Sequence, residues 1–312
     1  MNNKKTYNLT SKSFAEIFSE REDNLPLIVR NFIMKTNFKY KIVEGKEYET
    51  AILKVIKTLD SHILKISGSH RINDWEKGWE EHLKNFNKSN YDVNLLVAKF
   101  ASKGTYIRLQ GDLIKPESNS FESDFVAVIR YYLFIKYFKK VNAFYEFGAG
   151  TGVNLVAAAE VFPQLKLTGL DWAQSSVDLI NTLKEKLHIN ATGKKFDMFN
   201  PDKKYQLDKD SSVLTIGALE QLGENFKPFI NYLLKNKPKV CIHMETLYEI
   251  YDQNNLLDYL ATKYLKKRNY LKGFLPYLKN LEKDGKIKIF EIRRTFGSLY
   301  HEGYTYIVWK PI

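Results

Sequence analysis

Apolar and polar positions change rhythm near residue 140. Before it, apolar residues recur every three or four positions, the helical period. SFAEIFSERED reads as one helix. EYETAILKVIKTLDSHILKI reads as a second, with Ile52, Val55, Ile56, Leu59, Ile63 and Ile66 on one face. INDWEKGWEEHLKNF predicts a third, placing Trp75 and Trp79 one turn apart; packing is favoured there over a ligand-facing aromatic wall. The stretch from Tyr106 to Glu122 is rich in chain breakers and reads as a short extended piece and a loop. A long apolar-aromatic helix, FESDFVAVIRYYLFIKYFKK, follows it.

Beyond residue 140 strands and helices alternate. NAFYEF, LKLTGLD, KKFDMF, SSVLTIGAL and KVCIHME read as strands; GVNLVAAAEVF, SSVDLINTLKEKLHI and NFKPFINYLLKNK read as helices. Residues 252–284 are mostly helix, and KIKIFEIRR and YTYIVWK close the chain as an antiparallel pair. Repeated strand–helix units predict an α/β fold with a mostly parallel sheet covered on both faces. The expected division is a mainly helical accessory or cap region over residues 1–125 and a core over 126–312.

Composition narrows the class. With 44% hydrophobic residues in 312, the chain can bury a large core. It has no run of about 18 uncharged apolar residues and no apolar stretch behind its first basic residues, so a membrane span and a secretory signal are not expected. The expected compartment is the cytoplasm. A single cysteine, Cys241, excludes an internal disulfide framework and a Cys-based zinc site; in VCIH it reads as a buried, inert thiol. The net charge of +12 is spread, with 24 basic against 17 acidic residues up to position 140 and 24 against 19 after it. Spread basicity argues against a nucleic-acid arm, and the KKR run at 266–268 reads as a solvated helix face.

The chemistry gathers at YEFGAGTG, residues 145–152. A glycine-rich turn after the first strand lets a ligand approach the backbone and aims it at the next helix. The dinucleotide fingerprint G-x-G-x-x-G/A fails at Val153, and no GK[ST] follows for a P-loop. Glu146 would repel a pyrophosphate but suits the ammonium of an amino-acid ligand. Over E-F-G-A-G-T-G the chain resembles the class I S-adenosylmethionine-dependent methyltransferases, whose first motif is [DE]-x-G-x-G-x-G. The resemblance in order of elements covers about residues 141–312. It implies a Rossmann-like seven-stranded, mostly parallel sheet with an antiparallel last strand, S-adenosyl-L-methionine as cofactor and S-adenosyl-L-homocysteine as product. It implies cofactor contacts by Glu146, Gly148, Ala149, Gly150 and Gly152. Asp171, at the end of the second strand, is placed for the ribose hydroxyls and Trp172 for the adenine. Asp197 matches the position for the adenine amino group, with Met198 and Leu219 lining the pocket.

The acceptor half is less determined. GALEQL, ending the fourth strand, lacks the [DNS]-P-P-[YF] motif of base amino-methyltransferases, which favours a small-molecule acceptor, most simply a sugar or secondary metabolite methylated on oxygen. RNA or protein methylation and non-catalytic cofactor binding are the alternatives, and nicotinamide chemistry a more distant one. Glu220, His243 and His301 are the candidate catalytic groups, histidine because its pKa suits proton removal near neutrality. Tyr106, Arg108, Glu245, Glu302 and Tyr304 are candidate substrate contacts. Glu220, His243, Glu245 and His301 lack compact metal-ligand spacing, so no metal is expected.

Overall fold

A computed structural model describes residues 5–97 and 105–312. The later part of the chain builds one sheet from β5 (Ala143–Phe147), β6 (Lys166–Asp171), β7 (Ala191–Lys195), β8 (Ser211–Ile216), β9 (Val240–Met244), β10 (Ile287–Arg293) and β12 (Tyr306–Pro311). The order is β10-β12-β9-β8-β5-β6-β7. Neighbours from β9 to β7 run parallel, while β12 is antiparallel to both β9 and β10. This is the seven-stranded Rossmann-like arrangement that the sequence implies. All five residues of AFYEF in β5 are buried, as a central parallel strand covered on both faces requires. The connecting helices are α6 (Val153–Val161), α7 (Gln174–Leu187), α8 (Lys227–Asn236), α9 (Leu256–Arg268) and α10 (Phe274–Lys283). Cys241 lies buried in β9, and burial pushes its thiol well up, as an inert core cysteine requires.

From β5 the chain winds outward through β6 and β7, then returns to lay β8 on the opposite side of β5. That reversal opens a crevice beyond the carboxyl ends of β5 and β8, where ligands of such sheets bind.

The earlier part contributes α1 (Ser11–Phe18), α2 (Leu27–Lys35), α3 (Lys46–Asp60), α4 (Ile72–Lys88) and α5 (Phe121–Tyr137). It also holds four short strands, β1 (Thr6–Asn8), β2 (Lys39–Ile42), β3 (Ile107–Leu109) and β4 (Asp112–Pro116); the pattern announced β3, as the short extended piece after Tyr106, and not the others. The four form a second sheet, β1-β2-β4-β3-β11, closed by β11 (Phe296–Ser298) from the far end of the chain. The loop expected beyond β3 instead contains β4, and the two strands pair as a hairpin. Its turn is Gln110-Gly111, both at positive φ, the backbone that matches the twist of paired strands. Two further boundaries moved. The second helix stops at Asp60, leaving Ile63 84% exposed. The third core strand is ATGKK, so Phe196 and Asp197 lie past its end; Gly193 in that strand lets α7 approach, an added Cβ falling 2.4 Å from the Val177 carbonyl oxygen.

Candidate functional site

The crevice opens into a cavity of about 530 Å³ lined by the ends of β5, β6 and β8, by α4 and α5, and by the loops after α9 and β11. Its floor is the glycine turn. Gly148 has φ +72, and a Cβ there would fall 2.3 Å from Ala218 Cβ, so the loops after β5 and β8 meet at van der Waals distance only because neither side chain is larger. Gly150, φ +53, lies against Trp79, whose ring would be 2.9 Å from an added Cβ. Asp171 ties the turn to β6: its two carboxylate oxygens accept the Gly150 and Ala173 N–H groups at 2.9 Å each. Burial raises its pKa to about 6 against the pull of those bonds. Ala149, Trp172 and Met198 also line the cavity, and Trp172 stacks on Phe199 at 5.8 Å.

At the other side of the turn Glu146 is 2% exposed. It accepts a hydrogen bond from Asn154 Nδ2 at 2.5 Å, and Asn154 Oδ1 in turn accepts one from Arg130 at 3.0 Å. Burial pushes the Glu146 carboxyl up to about 8, opposed by Asn154 and the Arg130 charge and reinforced by Asp171. Glu146 Oε2 and Arg130 Nε are buried without a hydrogen-bond partner among the described residues. A carboxyl and a guanidinium thus face one cavity, each with an atom left to bond. Arg130 escaped the sequence reading, although a lone arginine inside the apolar run DFVAVIRYYLF was a signal, since a charge on a buried helix face is seldom idle.

The opposite wall carries Glu220, Gln221, Arg268, Tyr270, His301 and Tyr304. Glu220 sits in the loop after β8, shaped by Glu245: the Glu245 carboxylate accepts the backbone N–H groups of Ala218, Leu219 and Glu220 at 3.0–3.2 Å. Those bonds favour the charged form of Glu245, so of this buried pair Glu220 is the one that keeps its proton. Burial and the Glu245 charge raise Glu220 to about 8, with Arg268 pulling the other way. His301 lies flat on Tyr264 at 5.5 Å, with Nδ1 buried and unpartnered among the described residues. Burial, with the Arg108 and Arg268 charges, lowers it to about 3, so the ring is neutral at physiological pH. Tyr304 donates to Glu122 at 3.2 Å, and burial lifts Glu122 to about 7.

Several expected site residues lie elsewhere. His243 is fully buried, 2.9 Å from Thr215 Oγ1 and packed on Phe274 and Trp309; the strand face it shares with core residues carries it away from the cavity. Glu245 braces the loop and lines no part of the cavity. Leu219 turns into the core beside Phe226 and Phe229. Gly152 faces α7, a Cβ there meeting Leu183 at 2.8 Å, and serves close packing at the start of α6. Asp197 is exposed and caps the Phe199 N–H at 2.8 Å. Arg108 is 1% exposed and bonds Asp258 at 2.6 Å and the Leu257 carbonyl at 2.8 Å, with Glu302 3.5 Å away. Glu302 also pairs with Arg294 at 2.9 Å. This network ties β3 to α9 and to the loop bearing His301, so neither Arg108 nor Glu302 faces a ligand. Tyr106 packs near α3, its hydroxyl 3.4 Å from Glu47. Among the described residues no group of three or more His, Cys, Asp or Glu side chains is arranged to hold a metal ion.

Trp75 and Trp79, read above as packing, form part of the cavity wall, stacked at 5.7 Å. Helix α4 is fastened over the site by Glu76, which accepts the Gln174 and Ser175 N–H groups at 2.7 and 2.8 Å at the start of α7.

Neither a family model nor a curated protein sequence matches the chain. Solved structures of similar shape include the O-methyltransferase NcsB1 of neocarzinostatin biosynthesis, in complex with S-adenosylmethionine and 2-hydroxy-5-methyl naphthoic acid. It is 13% identical over 62% of this chain and 57% of its own, with a TM-score of 0.40. A SAM-dependent methyltransferase from Aquifex aeolicus is 14% identical over 58% of this chain and 88% of its own, at 0.39. An O-methyltransferase from a trans-AT PKS multienzyme of Brevibacillus brevis, in complex with S-adenosyl-L-homocysteine, is 16% identical over 55% and 54%, at 0.40. The chain spans little more than half the length of the first and third.

Proposed function

We propose that the protein is an S-adenosylmethionine-dependent methyltransferase acting on a small molecule, at oxygen in preference to nitrogen or sulfur. The carrying observation is the two-signed end of the cavity: buried Glu146 and half-buried Arg130, bridged by Asn154 and each with a buried unpartnered atom, lie across the glycine turn from Asp171. An amino acid needs a partner for its ammonium and another for its carboxylate, whereas a pyrophosphate beside Glu146 would meet a carboxyl. The residues present fit the cofactor. Arg130 and Glu146 would hold its amino-acid end and Asp171 its ribose hydroxyls, while Trp172, Met198 and Phe199 form an apolar slot for its base. The close seating of Gly148 on Ala218 and of Gly150 on Trp79 leaves no room for a side chain at either glycine.

When bound, the cofactor supplies an electrophilic methyl group open to in-line displacement. The chain's part is alignment and proton handling. Trp75 and Trp79 cover the site and exclude water. Glu220, held by the Glu245-braced loop, receives the acceptor hydroxyl's proton in its ionised form, which for a carboxyl raised to about 8 is roughly a tenth of the molecules at pH 7 and grows as the pH rises. Neutral His301 accepts a hydrogen bond from the acceptor and orients it.

The test is Glu220→Gln. With an acceptor found by screening hydroxylated metabolites against labelled S-adenosylmethionine, the variant transfers methyl groups about 10²–10⁴-fold more slowly. Calorimetric affinity for S-adenosylhomocysteine stays within about twofold, since Glu220 is not among the residues assigned to the cofactor. Full activity removes Glu220 from this role. Heat with a nicotinamide dinucleotide and none with S-adenosylmethionine or S-adenosylhomocysteine overturns the whole reading.

A further inference from the structure

Arg268 occupies an unusual position for the last residue of a helix ending in KKR. Lys266 is exposed and Lys267 donates to the Leu59 and Ser61 carbonyls, but Arg268 turns into the cavity. Its guanidinium lies over the rings of Tyr264 and Tyr270, 5.9 and 4.8 Å from their centroids, and donates to the Tyr270 hydroxyl at 2.7 Å. The backbone is fixed as well: the Arg268 carbonyl accepts the Ser67 N–H at 2.8 Å, and Asn269 Nδ2 donates to the Ser67 carbonyl at 3.2 Å. The Arg268 Nε is buried with no hydrogen-bond partner among the described residues. On the same wall Arg71 stands over Trp75 at 5.2 Å, its Nε paired with Asp74 at 3.2 Å and its Nη1 3.5 Å from Gln221 Oε1.

A guanidinium held against two tyrosine rings and bonded to one hydroxyl has already lost much of its rotamer freedom and keeps its remaining donors for a planar or tetrahedral oxyanion. Glu220, on the same wall, is mostly protonated at neutral pH and so leaves most of the positive charge uncancelled. We infer that this wall binds an oxyanion, carboxylate or phosphate, carried by the methyl acceptor, with Arg268 as the primary contact and Arg71 as the second. The assignment of the oxyanion to the acceptor rests on the proposed function, in which the Glu146–Arg130 end of the cavity belongs to the cofactor. The acceptor is thereby an acidic small molecule whose hydroxyl faces Glu220 while its anion is held on Arg268.

The probes are benzoate, phenyl phosphate and the neutral isostere benzamide, titrated into the S-adenosylhomocysteine-loaded protein with tryptophan fluorescence or calorimetry as readout. One or both anions bind about tenfold or more tighter than benzamide, and the better of the two names the oxyanion. Arg268→Gln brings the anions to within about twofold of benzamide; Arg268→Lys retains part of the preference, because a point charge replaces the fork. The wild-type comparison needs no variant to fold. Equal binding of anions and amide, or a preference that survives in Arg268→Gln, overturns the inference. So does anion binding that S-adenosylhomocysteine abolishes, because Arg268 would then hold the cofactor's own carboxylate. Failure of the cofactor reading shows separately, as no heat with S-adenosylhomocysteine, and the same anion series on the unloaded protein still decides whether Arg268 is an oxyanion site.

Discussion

Replacing Glu146 with Gln removes a titratable group near the end of β5 while leaving an amide oxygen for Asn154 to donate to. Burial raises this carboxyl from 4.5 to about 8. A folded pKa above the unfolded one means stability that is complete below about pH 4.5 and is lost as pH rises toward 8. Each pH unit is worth about 1.4 kcal/mol, so the wild-type protein gives up about 3 kcal/mol from this group between pH 4.5 and 7, and about 4 kcal/mol by pH 8. The Gln variant does not, and the stability difference between the two proteins therefore changes by these amounts with pH, whatever constant offset the new amide adds. Binding reads the same group. At pH 7 a carboxyl of pKa about 8 is roughly 90% protonated, and an ammonium seated beside it expels that proton. Calorimetry of S-adenosylhomocysteine binding at pH 7, in buffers of low and high ionisation enthalpy, gives about 0.9 proton released per wild-type protein and almost none for Glu146→Gln. Binding enthalpies that do not depend on buffer in the wild type, together with parallel pH–stability curves, would refute both the buried protonated carboxyl and its place beside the ammonium.

Asp171→Ala weakens S-adenosylhomocysteine binding by about 1–3 kcal/mol, roughly 5- to 150-fold, through lost charge-assisted hydrogen bonds; unchanged calorimetric affinity defeats the ribose assignment. Gly148→Ala drives a Cβ to 2.3 Å from Ala218 at φ +72, so urea unfolding should show a loss of about 1–3 kcal/mol, and equal stability would mean that the two loops are not packed as described. Arg108→Met leaves Asp258 and Glu302 buried with Arg294 as their remaining cation, a loss of about 3 kcal/mol or more in the same experiment. A change under about 1 kcal/mol would show that Arg108 is not a structural tie.

Period and punctuation, read along the chain, determined the alternating core, its antiparallel closing pair, the glycine turn and the carboxylate ending β6, because each is a local matter of spacing and backbone freedom. Strand pairing between distant segments is not local. The five-stranded sheet joins residues near the beginning of the chain to β11 near its end, and strands of three to five residues carry too few positions for a period to show. Side-chain direction is decided by the tertiary structure as well. His243 and Glu245 share a strand period, yet neighbouring elements determine that one packs in the core and the other braces a loop. Arg130, Arg268 and the tryptophans of α4 face the cavity because α4, α5 and α9 close over the sheet, and no pattern within a single helix says what will stand opposite it. The raised acids belong to the same category: a carboxylate is an ordinary one in sequence, and becomes a proton reservoir only where the fold removes the water around it.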